Sequence, residues 1–305
     1  TVYVPAAIQT KLFNPIFLNY RARPGRDEDF REAQKRNYVT NPDELYQEYP
    51  ETPEDAFIQS GRNVFPRLAC VVSARQKEPL PFEEWPEELR MCRPLGGSLR
   101  VYVLPERDRF YVGGVDTAQG LESGDWSCLP ILDGESGEEV ALLRGHWEAR
   151  EFGGLVDRLG RAYGALLGVE RNGIGEATLQ KLLDLAYPSL YRRVDLNIKQ
   201  GTVMQPGKAG WDTNSATKPV LIDGLHEALV RKWIGLASEE IVRELLLYER
   251  NERGETGAPS GFNDDLVMAT AIAWHMRRFR SQMPFRGERT KKGHDKFKHL
   301  TRRAV

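Results

Sequence analysis

What the chain lacks narrows its class before any motif is considered. It has no apolar run approaching membrane-spanning length. Its first residues, TVYVPAAIQTKLFNP, have neither the charged start nor the apolar middle of a signal peptide, so a cytoplasmic protein is expected. Cysteine is scarce: Cys70, Cys92 and Cys128 are odd in number, widely spaced and without a C-x-x-C pair, which argues against a disulfide framework or a zinc site. Internal repeats and low-complexity segments are absent. The net charge of −1 gives no overall bias toward polyanions or polycations. With 40% hydrophobic and 29% charged positions in 305 residues, there is material for one large core and an appendage.

The charge is unevenly placed. From Arg277 to Val305, eleven Lys or Arg stand against two acids, Glu288 and Asp295. Such a run reads either as a solvated tail or as an arm that neutralises phosphate, and Arg277, Arg278 and Arg280 begin it.

Residues 1–65 are punctuated by Pro and Gly and look too small for a core of their own. From residue 99 the pattern becomes regular. LRVYVLP and RFYVGGVD read as strands, WSCLPIL and VALLRGHW as a hairpin, and EFGGLVDRLGRAYG as a helix feeding the buried strand ALLGVE. GEATLQKLLDLAY is a helix, LYRRVDLNI a strand, and KQGTVMQPGKAGWDTNSATKP a hairpin or mobile loop. Helices are expected over 217–233 and 239–248, and another is headed by Asp264 and Asp265. This order predicts a mixed sheet with helices on both faces.

The acids decide the chemistry. Asp116 and Glu170 each stand where a buried strand gives way to a Gly-containing loop, the usual place for a ligand site in an α/β sheet. If the strands are neighbours, the carboxylates converge, and like charges in a partly buried site call for a cation. Asp264 and Asp265 could cap their helix, or deliver a third and fourth carboxylate to that cluster. Oxygen-only ligands point to Mg²⁺ or Mn²⁺, and a two-metal site of this kind supports phosphodiester hydrolysis. Asp125 is a weaker secondary candidate. His146 and His275 read as structural or surface residues, and Trp211 as a loop anchor or a nucleic-acid contact, with the anchor preferred.

GGVDTAQGLESGDWS, GVERNGIG, GWDTNSATKP and NDDLVMATAIA, in this order, resemble the successive motifs of the nuclease domain of tailed-phage large terminase subunits. The resemblance covers about residues 110–275, and QEYPETPEDAFIQSGRNVF is similar to the end of that family's ATPase region and linker. It implies an RNase H-like fold: residues 1–65 as the ATPase end and linker, 66–280 as the nuclease domain, 281–305 as a basic tail. It implies a metal-dependent endonuclease that cuts concatemeric double-stranded genomic DNA during packaging, as a piece of a larger motor in the host cytoplasm. Portal protein and the small terminase subunit are the implied protein partners.

Carried onto this chain, the metal-binding and catalytic acids are Asp116, Glu170 and one of Asp264 and Asp265, with Asp265 preferred and Asp264 contributing. Lys199, Lys208 and Lys218, with Arg277, Arg278 and Arg280, are the implied DNA contacts. No G-x-x-x-x-G-K-[ST] occurs, so ATP hydrolysis is not expected of this chain. The rival readings are another RNase H-like nuclease such as a resolvase, and a non-catalytic module docking DNA or the portal.

Overall fold

The computed structural model describes residues 18–38, 45, 48–51, 63–75, 77–121, 124–171, 173–194, 206–251 and 253–283. Lys199, residues 284–305 and most of QEYPETPEDAF lie outside the described residues.

Among the described residues, the short helices α1 (Glu28–Gln34), α2 (Arg67–Ser73) and α3 (Glu87–Arg90) precede the sheet. Its strands are β1 (Ser98–Val101), β2 (Tyr111–Val115), β3 (Ser127–Asp133), β4 (Glu139–Gly145) and β5 (Leu166–Val169). Helix α4 (Ala149–Tyr163) crosses from β4 to β5, and α5 (Gly175–Asp184) follows. Next come the antiparallel pair β6 (Arg192–Val194) and β7 (Pro206–Ala209), then helices α6 (Thr217–Val230) and α7 (Glu239–Leu247). A small hairpin of β8 (Glu249–Arg250) and β9 (Thr256–Gly257) leads to α8 (Asp265–Met276).

The five strands lie in the order β1-β4-β3-β2-β5, with β2 and β5 parallel and the other pairs antiparallel. This is the expected mixed sheet with helices on both faces. One core joins Val112, Leu132 and Leu166 of the sheet to α6, α7 and α8. The other joins Tyr111, Val115, Leu129, Leu167 and Val169 to α4 and α5. Alternate residues along β2 thus serve opposite faces, as the period of a strand buried on both sides requires. Packing reaches back beyond the expected boundary at residue 66: Val64 N–H donates to Tyr248 O at 3.0 Å, and Phe65 is fully buried.

Helix α8 lies directly on the sheet because the sheet is notched to receive it. A Cβ on Gly114 would fall 1.9 Å from Ala269 O and 2.6 Å from Ala273 N. One on Gly168 would meet Ile272 and Met276 at 2.7 Å. Gly114 and Gly168 occupy adjacent strands on one face; the small Ala269 and Ala273 meet the first from the helix, and Ile272 and Met276 the second.

Replacing Gly114 with alanine should therefore cost about 3 kcal/mol or more, since backbone and not a flexible side chain must yield. The control is Gly154→Ala on α4, where the new methyl meets only Arg158 at 3.8 Å and should be neutral or mildly stabilising. Urea unfolding midpoints of the two variants check this; equal midpoints would show that the close approach does not constrain the fold.

Candidate active site

The register of the parallel pair builds the first half of the site. Val112 to Val115 lie opposite Leu166 to Val169, so the next residues, Asp116 and Glu170, emerge side by side. Neighbouring strands are about 4.8 Å apart. Glu170 N–H donates to Val115 O at 2.9 Å, and Asp116 exchanges backbone bonds with Cys128. Asp116 is 9% exposed and Glu170 3%.

Strand alternation puts Asp116 on the face of Gly114, and Glu170 on that of Gly168. Both acids thus stand on the α8 face, just past the helix start. Two strand residues and one helical turn are nearly equal lengths, about 6 Å. With Ala269 seated over Gly114, Asp265 comes level with Asp116. A cleft of ≈ 630 Å³ separates them, walled by Asp116, Glu170, Asp264, Asp265, Asp125 and Lys218.

Neither aspartate caps α8. The Asp264 side chain makes no cap bond, and its Oδ2 instead lies 3.7 Å from Lys218 Nζ. Asp265 Oδ2 accepts from Trp126 N–H at 2.7 Å and from the Asn263 amide at 3.2 Å. The helix start is served by Glu244 of α7, whose Oε2 accepts from Leu266 N–H at 2.8 Å. Asn263 also reaches Asp125 Oδ1 at 3.3 Å, placing that exposed acid on the rim.

The electrostatics are those of a crowded anionic site. Burial, then the charge of Glu170 and a hydrogen bond with it, hold the Asp116 carboxyl well above the ordinary carboxylate range. Asp265 and Asp264 push the same way. Burial raises Asp265 to about 6, against the Trp126 N–H and the Asn263 amide, while Asp125 and Asp264 add to the rise.

Among the described residues, no three such groups close on one point as a finished ligand cage. The donor set nonetheless fits a hard divalent cation in kind: all oxygen, anionic, partly buried and open to a cleft. A larger cleft, ≈ 930 Å³, lies beside α7 but contains none of these acids. Two of the arginines on its walls are paired, Arg100 with Glu240 and Arg75 with Glu138.

The expected DNA contacts divide. Lys218 lines the cleft, and Lys208 is exposed on β7. Arg277, Arg278 and Arg280 do not line the cleft. They follow α8 at its far end, about 17 Å along the helix. There Arg277 donates to Gly134 O and Glu135 O at 2.9 and 3.0 Å, and Arg280 pairs with Glu135 at 2.8 Å. Two of these arginines therefore fasten the β3–β4 turn. Trp211 is held in the core: its backbone N–H donates to Val169 O at 2.7 Å, and its ring, 8% exposed, stands edge-on to His275.

Glu244, Asn263 and Trp126 were not singled out from sequence. Glu244 looks like one more position on the buried face of α7, beside Ile241 and Leu245. A capping box would have signalled an acid three residues into the same helix, whereas this acid comes from a different one.

No family model matches the chain, and no curated protein does. Among solved structures, the large terminase nuclease from thermophilic phage G20c with bound magnesium aligns with 71% of this chain and 98% of its own, at 20% identity and a TM-score of 0.50. Its cobalt-bound form covers the same shares at a TM-score of 0.48 and 20% identity. The Thermus phage P74-26 large terminase nuclease domain aligns over 69% of this chain and 94% of its own, at 17% identity and 0.46. This chain has the fold of a large terminase nuclease. Within that RNase H-like fold, the Asp116–Glu170 pair sits at the carboxyl ends of adjacent parallel strands, with α8 laid across them.

The raised carboxyls make the metal-free protein pH-sensitive in a definite sense. A carboxyl whose folded pKa exceeds its unfolded value loses stability as it is forced to ionise. Asp265, raised from 3.8 to about 6, weakens the fold as pH climbs through that interval, and Asp116, raised in the same direction, adds to the decline. Asp116→Asn mimics the protonated acid. In EDTA its unfolding free energy should exceed that of the parent by a margin that widens from pH 5 to pH 8, by up to about 1.4 kcal/mol per pH unit. A margin independent of pH would show that Asp116 titrates normally.

Proposed function

We propose that this chain is a divalent-metal-dependent DNA endonuclease of the large terminase type, which cuts concatemeric double-stranded genomic DNA during packaging. The observation that carries the reading is the in-register placement of Asp116 beside Glu170, with Asp265 level with them across an open cleft. The phage G20c nuclease, whose fold this chain shares, has been solved with magnesium bound, and the oxygen donors here suit Mg²⁺ or Mn²⁺.

Asp116, Glu170 and Asp265 would hold the metal, with Asp264 contributing, in a two-metal site. Bound there, the ions would activate water and stabilise the departing oxygen of a phosphodiester. The chain's own part is to fix these carboxylates before substrate arrives. Trp126 N–H and Asn263 hold Asp265 at Oδ2, and the sheet holds Asp116 and Glu170. Lys218, beside Asp264 on the cleft wall, is placed to hold a backbone phosphate; Lys208 of β7, and Lys199 on the strength of the sequence resemblance alone, are the further proposed phosphate contacts. Such contacts position DNA without reading its bases. Portal protein and the small terminase subunit are the proposed partners.

Digestion of supercoiled plasmid with Mn²⁺, with Mg²⁺ and with EDTA tests the reading. Cutting should require metal and fall at least a hundredfold in Asp116→Asn and Glu170→Gln, as loss of a metal-holding group implies. No cutting by a folded sample would favour a module that docks DNA or the portal.

A further inference from the structure

We propose that Glu244 is a positioning residue for the carboxylate site: by capping α8 from the neighbouring helix, it leaves Asp265 free to face the cleft. This rests on the reading of the cleft as a metal site.

A helix start presents N–H groups with no partner inside the helix, and aspartate at or beside the first residue is a common acceptor for them. Here two aspartates stand at that place and neither takes the role. Leu266 N–H, next in the chain to Asp265, is taken at 2.8 Å by Glu244 Oε2, from 22 residues away. Glu244 is buried and does not line the cleft.

Its other oxygen completes a circuit. Glu244 Oε1 lies 3.7 Å from Arg144 Nη2, and the Arg144 guanidinium sits 4.2 Å over the Trp126 ring. Trp126 N–H returns to Asp265 Oδ2 at 2.7 Å. Glu244 thus fixes both sides of Asp265: the backbone after it directly, and the residue that holds its carboxylate through Arg144. Without an acceptor at 244, the Leu266 N–H is left with two aspartates beside it, and the one that turned back to cap would leave the cleft.

The test compares Mn²⁺ binding by calorimetry, in the absence of DNA, for the parent chain, Glu244→Gln and Glu244→Leu, with melting temperatures alongside. Gln keeps an acceptor oxygen; Leu removes it while filling the buried space, and leaves Arg144 without its carboxylate partner. The expected result is affinity within about threefold of the parent for Gln, and a loss of about tenfold or more for Leu, the scale seen when an outer partner of a metal ligand is removed. If Glu244→Leu does not fold, Glu244→Asp takes its place: its carboxylate is one methylene too short to reach Leu266, and the same loss is expected. Parent-like affinity in a folded Leu or Asp variant, or equal damage in Gln, would overturn the proposal. Absence of Mn²⁺ binding by the parent would instead overturn the metal reading beneath it.

Discussion

The contact between Gly114 and the backbone of α8 governs the rest of the molecule. A helix normally stands off a sheet by the thickness of the side chains between them, and sequence differences there slide or tilt it. At Gly114 there is no side chain, and the Ala269 carbonyl occupies the place a Cβ would take. Gly168 repeats the notch one strand over. The helix is consequently held near its middle, backbone to backbone, and cannot shift along the strand without a clash. Its first residue is delivered to a fixed height, and that height is where β2 and β5 end in acids. The geometry of the site is thus a consequence of packing several residues away from it.

Burial and a raised pKa do not by themselves mark a functional acid, and this protein shows the distinction within one core. Glu139 is as buried as Asp116 and is pushed up to about 7. Its oxygens, however, accept from Ala237 N–H, Ser238 N–H and the Ser238 hydroxyl. Those donors anchor the start of α7, and the carboxylate is satisfied. Glu244, raised to about 8, has Leu266 N–H and Arg144. Asp116 differs in the company it keeps: its hydrogen-bonding neighbour is another acid, and two more bear on it across a cleft. Charges held together at such cost persist because the surrounding fold is rigid, and they commonly mark sites kept for function at the expense of stability.

The parts legible in the sequence were those with a local period. YVGGVD and ALLGVE announce buried strands ending in acids, and Phe152, Leu155, Val156 and Leu159 announce α4 by spacing alone. The parts that were not legible are pairings across the chain. Arg277 and Arg280 look like the start of a solvated basic tail, because their partners at Gly134 and Glu135 are more than 140 residues earlier. Glu244 looks like core for the same reason, its acceptor role being defined by Leu266. The β8–β9 hairpin, in a stretch that looks like plain loop, is only two residues per strand and too short for periodicity to register. Glycine is ambiguous in a different way: Gly114 weakens a strand by propensity, and only the helix above it explains its presence.

The two aspartates at the head of α8 can now be told apart on physical grounds. An oxygen that caps a helix must turn back toward the first turn, while one that binds in the cleft must face away, so one carboxylate group cannot serve both ends well. Glu244 removes the demand for capping. What then separates the pair is how firmly each is held. Asp264 rests against the flexible ammonium of Lys218 at 3.7 Å, a half-exposed contact of modest strength. Asp265 receives two donors, one of them the backbone N–H of Trp126 just before β3, and among the described residues both meet Oδ2. Its Oδ1 is left oriented but uncommitted. A ligand atom that is fixed before its ion arrives loses less entropy on binding than one that must first be ordered, so under the proposed metal reading Asp265 would be the principal donor and Asp264 would tune the charge around it.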